Sequence, residues 1–472
     1  MLRWIFGGRE AQSSVEKSGV LCIGEEQPKN CFTELQVLRG HFDIVRFLVQ
    51  IDDFRCASAG DDGLVLVWNV QTGERLRELR GHSQQITAIT VFHCSDELMT
   101  HTRLITASSD RSVSLWDPDT GNRVQTVLDL QSSVKCLLVL EHLGVWISGG
   151  EELCVWNKDF RLQCHKDRHS DTGGHHFQVV LTHTQKNIFF WCPFTGITAL
   201  IELPKNCVAA AMDKTIVIYK LTGCDDSLSV VEVRCLVDHQ DQIRALINVS
   251  DGLFASGSHA GELMVWDAVD WSVLAYEHIL WEEPQMSVHA QIQLGGPKPS
   301  EMSVQHLTSN GNLILAAVGS GLYVFSVLTK TVVAYKKCAH DSNVLHTMLL
   351  SDSELMSCSE DGSVRMWEIQ DLPLVGEPAS PGFFGMWNFG RSSKQTCPPS
   401  NKTVDLPNIR TLELTGDLIG HSGAVQMFVA FKENGLVTCS ADHQLILWKN
   451  GEKQSHLRSL ALFQKLEGKG GL

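Results

Sequence analysis

A His-to-Trp interval that recurs unchanged, short runs of alternating hydrophobicity between tight-turn residues, and the arithmetic of chain length together predict an all-β protein. The predicted architecture is an eight-bladed β-propeller, its ring closed by an N-terminal strand, with a short C-terminal helix and one long inserted loop.

The interval comes first. His41 to Trp68, His239 to Trp266, His340 to Trp367 and His421 to Trp448 are each 27 residues apart. His82 to Trp116 is 34, and the excess is assigned to a polar loop around 93–102. Inside the first unit, IVRFLVQ, FRCASAG, LVLVWNV and GERLRELR read as four short strands, the content of one blade. Asp62-Gly63 and Asp361-Gly362 fall between the second and third strands, where a tight hairpin needs positive φ.

Units without the full signal fill the gaps. VKCLLVL, VWISGG and LCVWN end at Trp156. Two further units place Tyr219 and Phe325 at the Trp position. The terminal aromatics are then Trp68, Trp116, Trp156, Tyr219, Trp266, Phe325, Trp367 and Trp448, which makes eight. Residues 33–450, less two apparent insertions at 174–196 and 371–413, leave about 44 residues per unit for eight blades, against about 50 for seven. After Trp448 the chain reads KNGEKQ and offers no fourth strand, whereas TELQVL (33–38) stands just before the first Gly-His. That segment is predicted to complete the last blade, since an open ring would leave unmatched faces. The domain reading is a flexible N-terminal segment 1–32, a propeller 33–450, and a helical tail 451–472.

The dipeptides Gly40-His41, Gly81-His82 and Gly420-His421, the pairs Trp116-Asp117 and Trp266-Asp267, and an Asp six residues before the Trp make the chain resemble the WD40-repeat family. The resemblance implies buried networks built from His41, Asp62 and Trp68; His82, Asp110 and Trp116; His340, Asp361 and Trp367; and His421, Asp442 and Trp448. Ser58, Thr106, Ser357 and Thr438 are the expected hydroxyl members. A buried indole N–H and imidazole need partners, so these residues are read as structural, not catalytic.

Composition narrows the function classes. A formal net charge of −15 opposes a phosphate backbone, so no nucleic-acid partner is expected. Fifteen cysteines lie scattered without a CxxC pair, as buried thiols of a reducing, cytoplasmic compartment would. Pro193 interrupts the most apolar window, 188–204, and no direct membrane insertion is expected. No phosphate loop, GxSxG elbow or HExxH motif is present, so the chain is read as a non-enzyme without cofactors. His165 and His169 have a spacing that could share a metal on a helix, but Gly-Gly and strand-like runs surround them, and no metal site is expected.

Two appendages stand out as candidate docking elements. The insertion 371–413 is rich in Pro, Ser and Lys, yet carries Phe383, Phe384, Met386, Trp387 and Phe389 together, the residue types that interface hot spots use. In the tail, Leu457, Leu460 and Leu466 approximate a helical stripe. A closer resemblance, to one branch of the WD-repeat family, rests on MLRWIFGGRE, DIVRFLVQIDDFRCASAGDDG, LIELPKNCVAAA, GFFGMWNFGR, LVTCSADHQLILWKNGE and LRSLALFQKLE; the stretch 174–196 departs from it. That resemblance implies a non-catalytic scaffold subunit of a complex whose longin- and DENN-domain partners regulate small GTPases in autophagy and lysosome control. It further implies recruitment to lysosomes through a PQ-loop cationic amino-acid transporter. The expected division gives the aromatic loop to the transporter and the terminal segments to the DENN subunit. A substrate receptor of a cullin ubiquitin ligase is the rival. Such receptors often carry Arg two positions after the Asp of Trp-Asp, where this chain has Asp119 and Val269.

Overall fold

The computed structural model of the chain describes residues 32–96, 99–166, 196–223, 228–279, 302–370, 410–432 and 434–467. Within them the strands form eight antiparallel four-stranded blades. Blade 1 consists of Val45–Gln50, Arg55–Gly60, Val65–Asn69 and Arg75–Leu79, in that order from the central channel outward. Blades 2 to 7 span 86–127, 136–166, 197–236, 243–278, 304–336 and 344–419. Blade 8 takes its inner three strands from 425–449 and its outermost strand from the other end of the chain.

That outermost strand is Glu34–Arg39, antiparallel to Gln444–Lys449, with Leu35 opposite Trp448 and Leu38 opposite Leu445. The N-terminal strand therefore closes the ring as the sequence predicts. The physical reason is visible in eight apolar clusters, each lying between two neighbouring blades. Between blades 8 and 1, for example, Val437, Cys439, Leu445 and Leu447 pack on Val45, Leu48, Leu66 and Trp68. Both faces of every blade are covered, so the ring has no unmatched end.

The middle strands are buried on both faces and read as apolar or small-residue runs such as VLVW and CVAAAM. Tight turns join the second and third strands. Gly63 and Gly362 there have φ of 72° and 86°, which explains the two Asp-Gly pairs.

Two features depart from the sequence reading or add to it, and a third agrees with it. The stretch 93–102, expected to be a polar loop, instead prolongs a hairpin: Ile86–Asp96 pairs with Met99–Ser108, with His93 opposite Thr102 and Asp96 opposite Met99. Ladder hydrogen bonds satisfy the backbone there, so polarity alone did not make it a loop. Secondly, the strand Arg410–Ile419 takes in the last residues of 371–413. Its first two residues pair in parallel with Ala334 and Tyr335, so blades 6 and 7 are joined at their outer edges. Thirdly, the tail forms a helix, α1 (Gly451–Glu467).

Candidate interaction surface

The histidines are withdrawn from the surface by the networks in which they sit. In blade 1 the Trp68 indole N–H donates to Ser58 Oγ at 2.9 Å, Ser58 Oγ lies 2.8 Å from His41 Nε2, and His41 Nδ1 lies 2.9 Å from Asp62 Oδ2. One proton assignment satisfies the chain: the hydroxyl donates to Nε2 and Nδ1–H donates to the carboxylate. Asp62 also accepts from the backbone N–H of Phe42 and of Leu64, each at 3.0 Å, so it ties the loop entering the blade to the turn between strands. The same relay runs through Trp116, Thr106, His82 and Asp110; Trp367, Ser357, His340 and Asp361; and Trp448, Thr438, His421 and Asp442.

The structure thus brings these twelve residues together in four networks, which leave none of their side chains as an open nucleophile or base. Burial would raise the carboxyls of Asp62, Asp110, Asp361 and Asp442, yet their histidine, hydroxyl and backbone donors outweigh it and hold them below the usual range. Desolvation holds His82 and His421 below the ordinary imidazole value despite their acidic partners. The glycine before the histidine also has a reason. A Cβ at Gly81 or Gly420 would come within 3.1 or 2.9 Å of the indole edge of Trp116 or Trp448, and one at Gly40 within 2.8 Å of Leu66 Cδ1.

Blade 5 carries a network that the Asp rule does not reveal. Trp266 donates to Ser256 at 2.8 Å, Ser256 lies 2.6 Å from His239 Nε2, and Nδ1 lies 3.1 Å from Glu262, which is 1% exposed. Position 260, where the Asp would stand, is Ala260. Glu262 sits two residues later, at the place taken by Ser112 and Ser363 in blades 2 and 7, where those serines bridge His and Asp. The longer glutamate spans the gap from that position. The buried His239 was the available sequence signal, since it needed an acceptor from somewhere.

Blade 3 lacks the histidine altogether. Trp156 donates to Ser148 at 2.9 Å and stacks on Trp146, centroids 5.1 Å apart and planes 9° from parallel. Phe160 covers the other ring at 4.6 Å. A cavity of about 30 Å³ is bordered by Ser132, Ser148 and Glu152, room enough for a water.

Of the surface elements that the sequence reading named, the described residues include two side chains. Leu457 and Leu460 lie on α1 and are 47% and 45% exposed. Gly451 N–H donates to Thr33 Oγ1 at 3.1 Å, and Arg458 pairs with Glu34 at 2.7 Å, so the base of α1 is fixed to the closing strand. Phe383, Phe384, Met386, Trp387, Phe389 and the side chain of Leu466 lie outside the described residues, as do 1–31, 371–409 and nearly all of 174–196. Among the described residues no group of three or more His, Cys, Asp or Glu is placed to hold a metal ion, and no helix is long and apolar enough to cross a membrane.

A closed ring of eight four-stranded blades, stapled by His–acid–hydroxyl–Trp relays, defines a WD-type β-propeller, a class of interaction scaffold. The fold is shared with the computationally designed Ika8 protein, at a TM-score of 0.59 and 20% identity over 88% of this chain and 98% of that one. The chain belongs to the WDR41 β-propeller family, whose sequence profile matches residues 1–189 and 180–458. It is 51% identical to human WD repeat-containing protein 41 and 49% identical to the mouse protein, in each case over 100% of this chain and 99% of the relative. The two profile matches overlap inside 174–196, the stretch that departs from the family resemblance.

Proposed function

We propose that the chain is the non-catalytic scaffold subunit of a longin- and DENN-domain complex that regulates small GTPases in autophagy, and that it brings the complex to the lysosome surface through a PQ-loop cationic amino-acid transporter. The observation that carries the scaffold reading is α1. A helix of 17 residues is marginal in water unless its apolar side is covered. Here residues 455–460 are all exposed, Leu457 and Leu460 included, while the base of the helix is anchored to the ring. A helix tethered at its base to the ring, with uncovered leucines, is suited to a groove on a partner. The identity of that partner follows the family resemblance: α1 and the closing strand serve the DENN subunit, and the aromatic segment 383–389 serves the transporter.

The test is affinity capture of the tagged full-length protein from cells, followed by mass spectrometry. DENN and longin subunits should co-purify, and Leu457→Asp/Leu460→Asp should lower their recovery at least tenfold while the ring still melts as wild type. Replacing Phe383, Phe384 and Trp387 with Ala should abolish lysosomal recruitment and leave assembly intact. Capture of a cullin adaptor in place of DENN subunits would overturn the reading, as would unchanged recovery with the leucine variant.

A further inference from the structure

We infer that the seam between blades 6 and 7 is a proton-operated latch: a proton taken up by the facing pair His306 and His346 parts the two blades and loosens the place where the chain leaves blade 7 at Gln370 and returns at Arg410. The pair is a departure from the repeat. Two places after the Val or Ile that opens each innermost strand, blades 1 to 5 and 8 carry Phe47, Ala88, Cys136, Ala199, Ala245 and Met427. The adjacent blades 6 and 7 carry His306 and His346 there instead.

The two rings meet across the seam, with centroids 4.3 Å apart and planes 40° from parallel. Phe428 of blade 8 stands edge-on to His346 at 4.8 Å. Thr347 of blade 7 ties His306 of blade 6: its main-chain N–H donates to Nδ1 at 3.3 Å, and its hydroxyl lies 3.0 Å from the same nitrogen. Nδ1 must therefore be the unprotonated nitrogen of a neutral ring. A proton there opposes the main-chain N–H, which, unlike the hydroxyl, cannot turn to accept. One tie between the innermost strands is lost. His346 Nδ1 is buried and finds no hydrogen-bond partner among the described residues, so a charge on that ring has no acceptor and faces the first ring.

Nothing packed on the pair offsets the charge. The neighbouring strands 243–250, 253–258, 313–318, 354–359 and 425–431 bring Arg244, Glu354 and Cys358. Arg244 and Glu354 are exposed. Cys358 lies opposite His346, donates its thiol to Val425 O, and is kept protonated by burial. Burial lowers His306 to about 4, and burial with the neighbouring ring holds His346 well below the ordinary imidazole value. A parted seam returns both toward about 6.5 and binds protons first, so the closed seam is fully favoured above that pH and loses favour as pH falls toward 4. The outer edge of the seam must follow. Among the described residues, blades 6 and 7 alone share a sheet, through Arg410 and Thr411 beside Ala334 and Tyr335, and Thr411 also pairs with Gln370. Separation of the inner strands falls on that short parallel bridge.

The test is hydrogen exchange of the full-length protein read by mass spectrometry, as protection factors corrected for the intrinsic rate at each pH. Between about pH 7.5 and about pH 5.5, amides in 304–309, 344–349 and 410–412 should lose roughly tenfold in protection for each histidine that titrates, up to about a hundredfold. The inner strands 136–140 and 197–203 of blades 3 and 4, which hold no histidine relay, should change by less than about threefold over the same range. His306→Ala/His346→Phe installs side-chain types that other blades carry at this place and should remove the pH response of the seam. His346→Gln, closer in size and polarity, should leave a single step of about tenfold and serves if the double variant does not fold. The inference is overturned if protection falls equally around the whole ring, if the seam does not respond to acid, or if the folded variants respond as wild type. The comparison of seams is made on wild-type protein, so it does not depend on any variant's folding.

Discussion

Removing the Glu262 carboxylate isolates what the blade 5 relay contributes to the ring. In Glu262→Ala, His239 Nδ1–H loses its acceptor at 3.1 Å and the backbone N–H of Gln240 loses one at 3.1 Å. His239 is 4% exposed, so water does not readily replace the lost carboxylate. A buried donor left unpaired costs about 1–3 kcal/mol, more where the lost partner was charged, and Gln240 is only partly buried; the expected loss is roughly 2–4 kcal/mol. Urea unfolding followed by tryptophan fluorescence, with the twelve tryptophans as reporters, should show the midpoint falling accordingly. The decisive variant is Ala260→Asp/Glu262→Ser, which writes the Asp-and-Ser arrangement of blades 2 and 7 into blade 5. It should recover most of the loss, because His239 and Gln240 regain an acidic acceptor. If Glu262→Ala costs less than about 0.5 kcal/mol, or if the double variant is no better than the single one, the carboxylate is not the element that staples this blade.

Further outcomes follow from the same structure. Deleting 33–39 removes the outer strand of blade 8 and uncovers Leu445 and Leu447; protease sensitivity should rise around the whole ring, and sensitivity confined to blade 8 would refute ring closure as the source of cooperativity. Acidification should destabilise the ring. Burial lowers His306 to about 4, whereas an unfolded imidazole titrates near 6.5, so the unfolded chain takes up the proton first and the contribution of neutral His306, complete above about pH 6.5, is lost as pH falls toward 4. His306→Gln should flatten the urea midpoint against pH over that window. In native protein Cys56, Cys358 and Cys439 should resist alkylation, since burial raises their thiols and denies access, while among the cysteines of the described residues the exposed Cys338 reacts first; peptide mapping after a short iodoacetamide pulse reads the order.

Much of this was legible from spacing alone, because the relay that staples a blade demands particular residue types at fixed separations. A tryptophan indole, a hydroxyl ten residues before it and a histidine 27 residues before it must meet in one buried place, so Trp68, Ser58 and His41 announce a blade without any coordinates. The count of eight and the N-terminal closing strand came from the same periodicity. What spacing could not convey was any solution reached by a different side chain from a different position. Glu262 reaches His239 only because its extra methylene and the path of the turn bring the carboxylate there. Trp146 and Trp156 replace a histidine relay by stacking, and their sequence separation gives no hint of it. The hairpin of blade 2 read as a loop because its residues are polar, while the ladder that makes it a strand is a matter of pairing. Neighbourhoods that span blades were decided by tertiary structure alone: Val91, Leu138, Glu141 and Glu202 come from three blades, and only closing the ring sets them side by side. Local chemistry determines each blade in the sequence, whereas juxtaposition between blades exists only once the ring has formed.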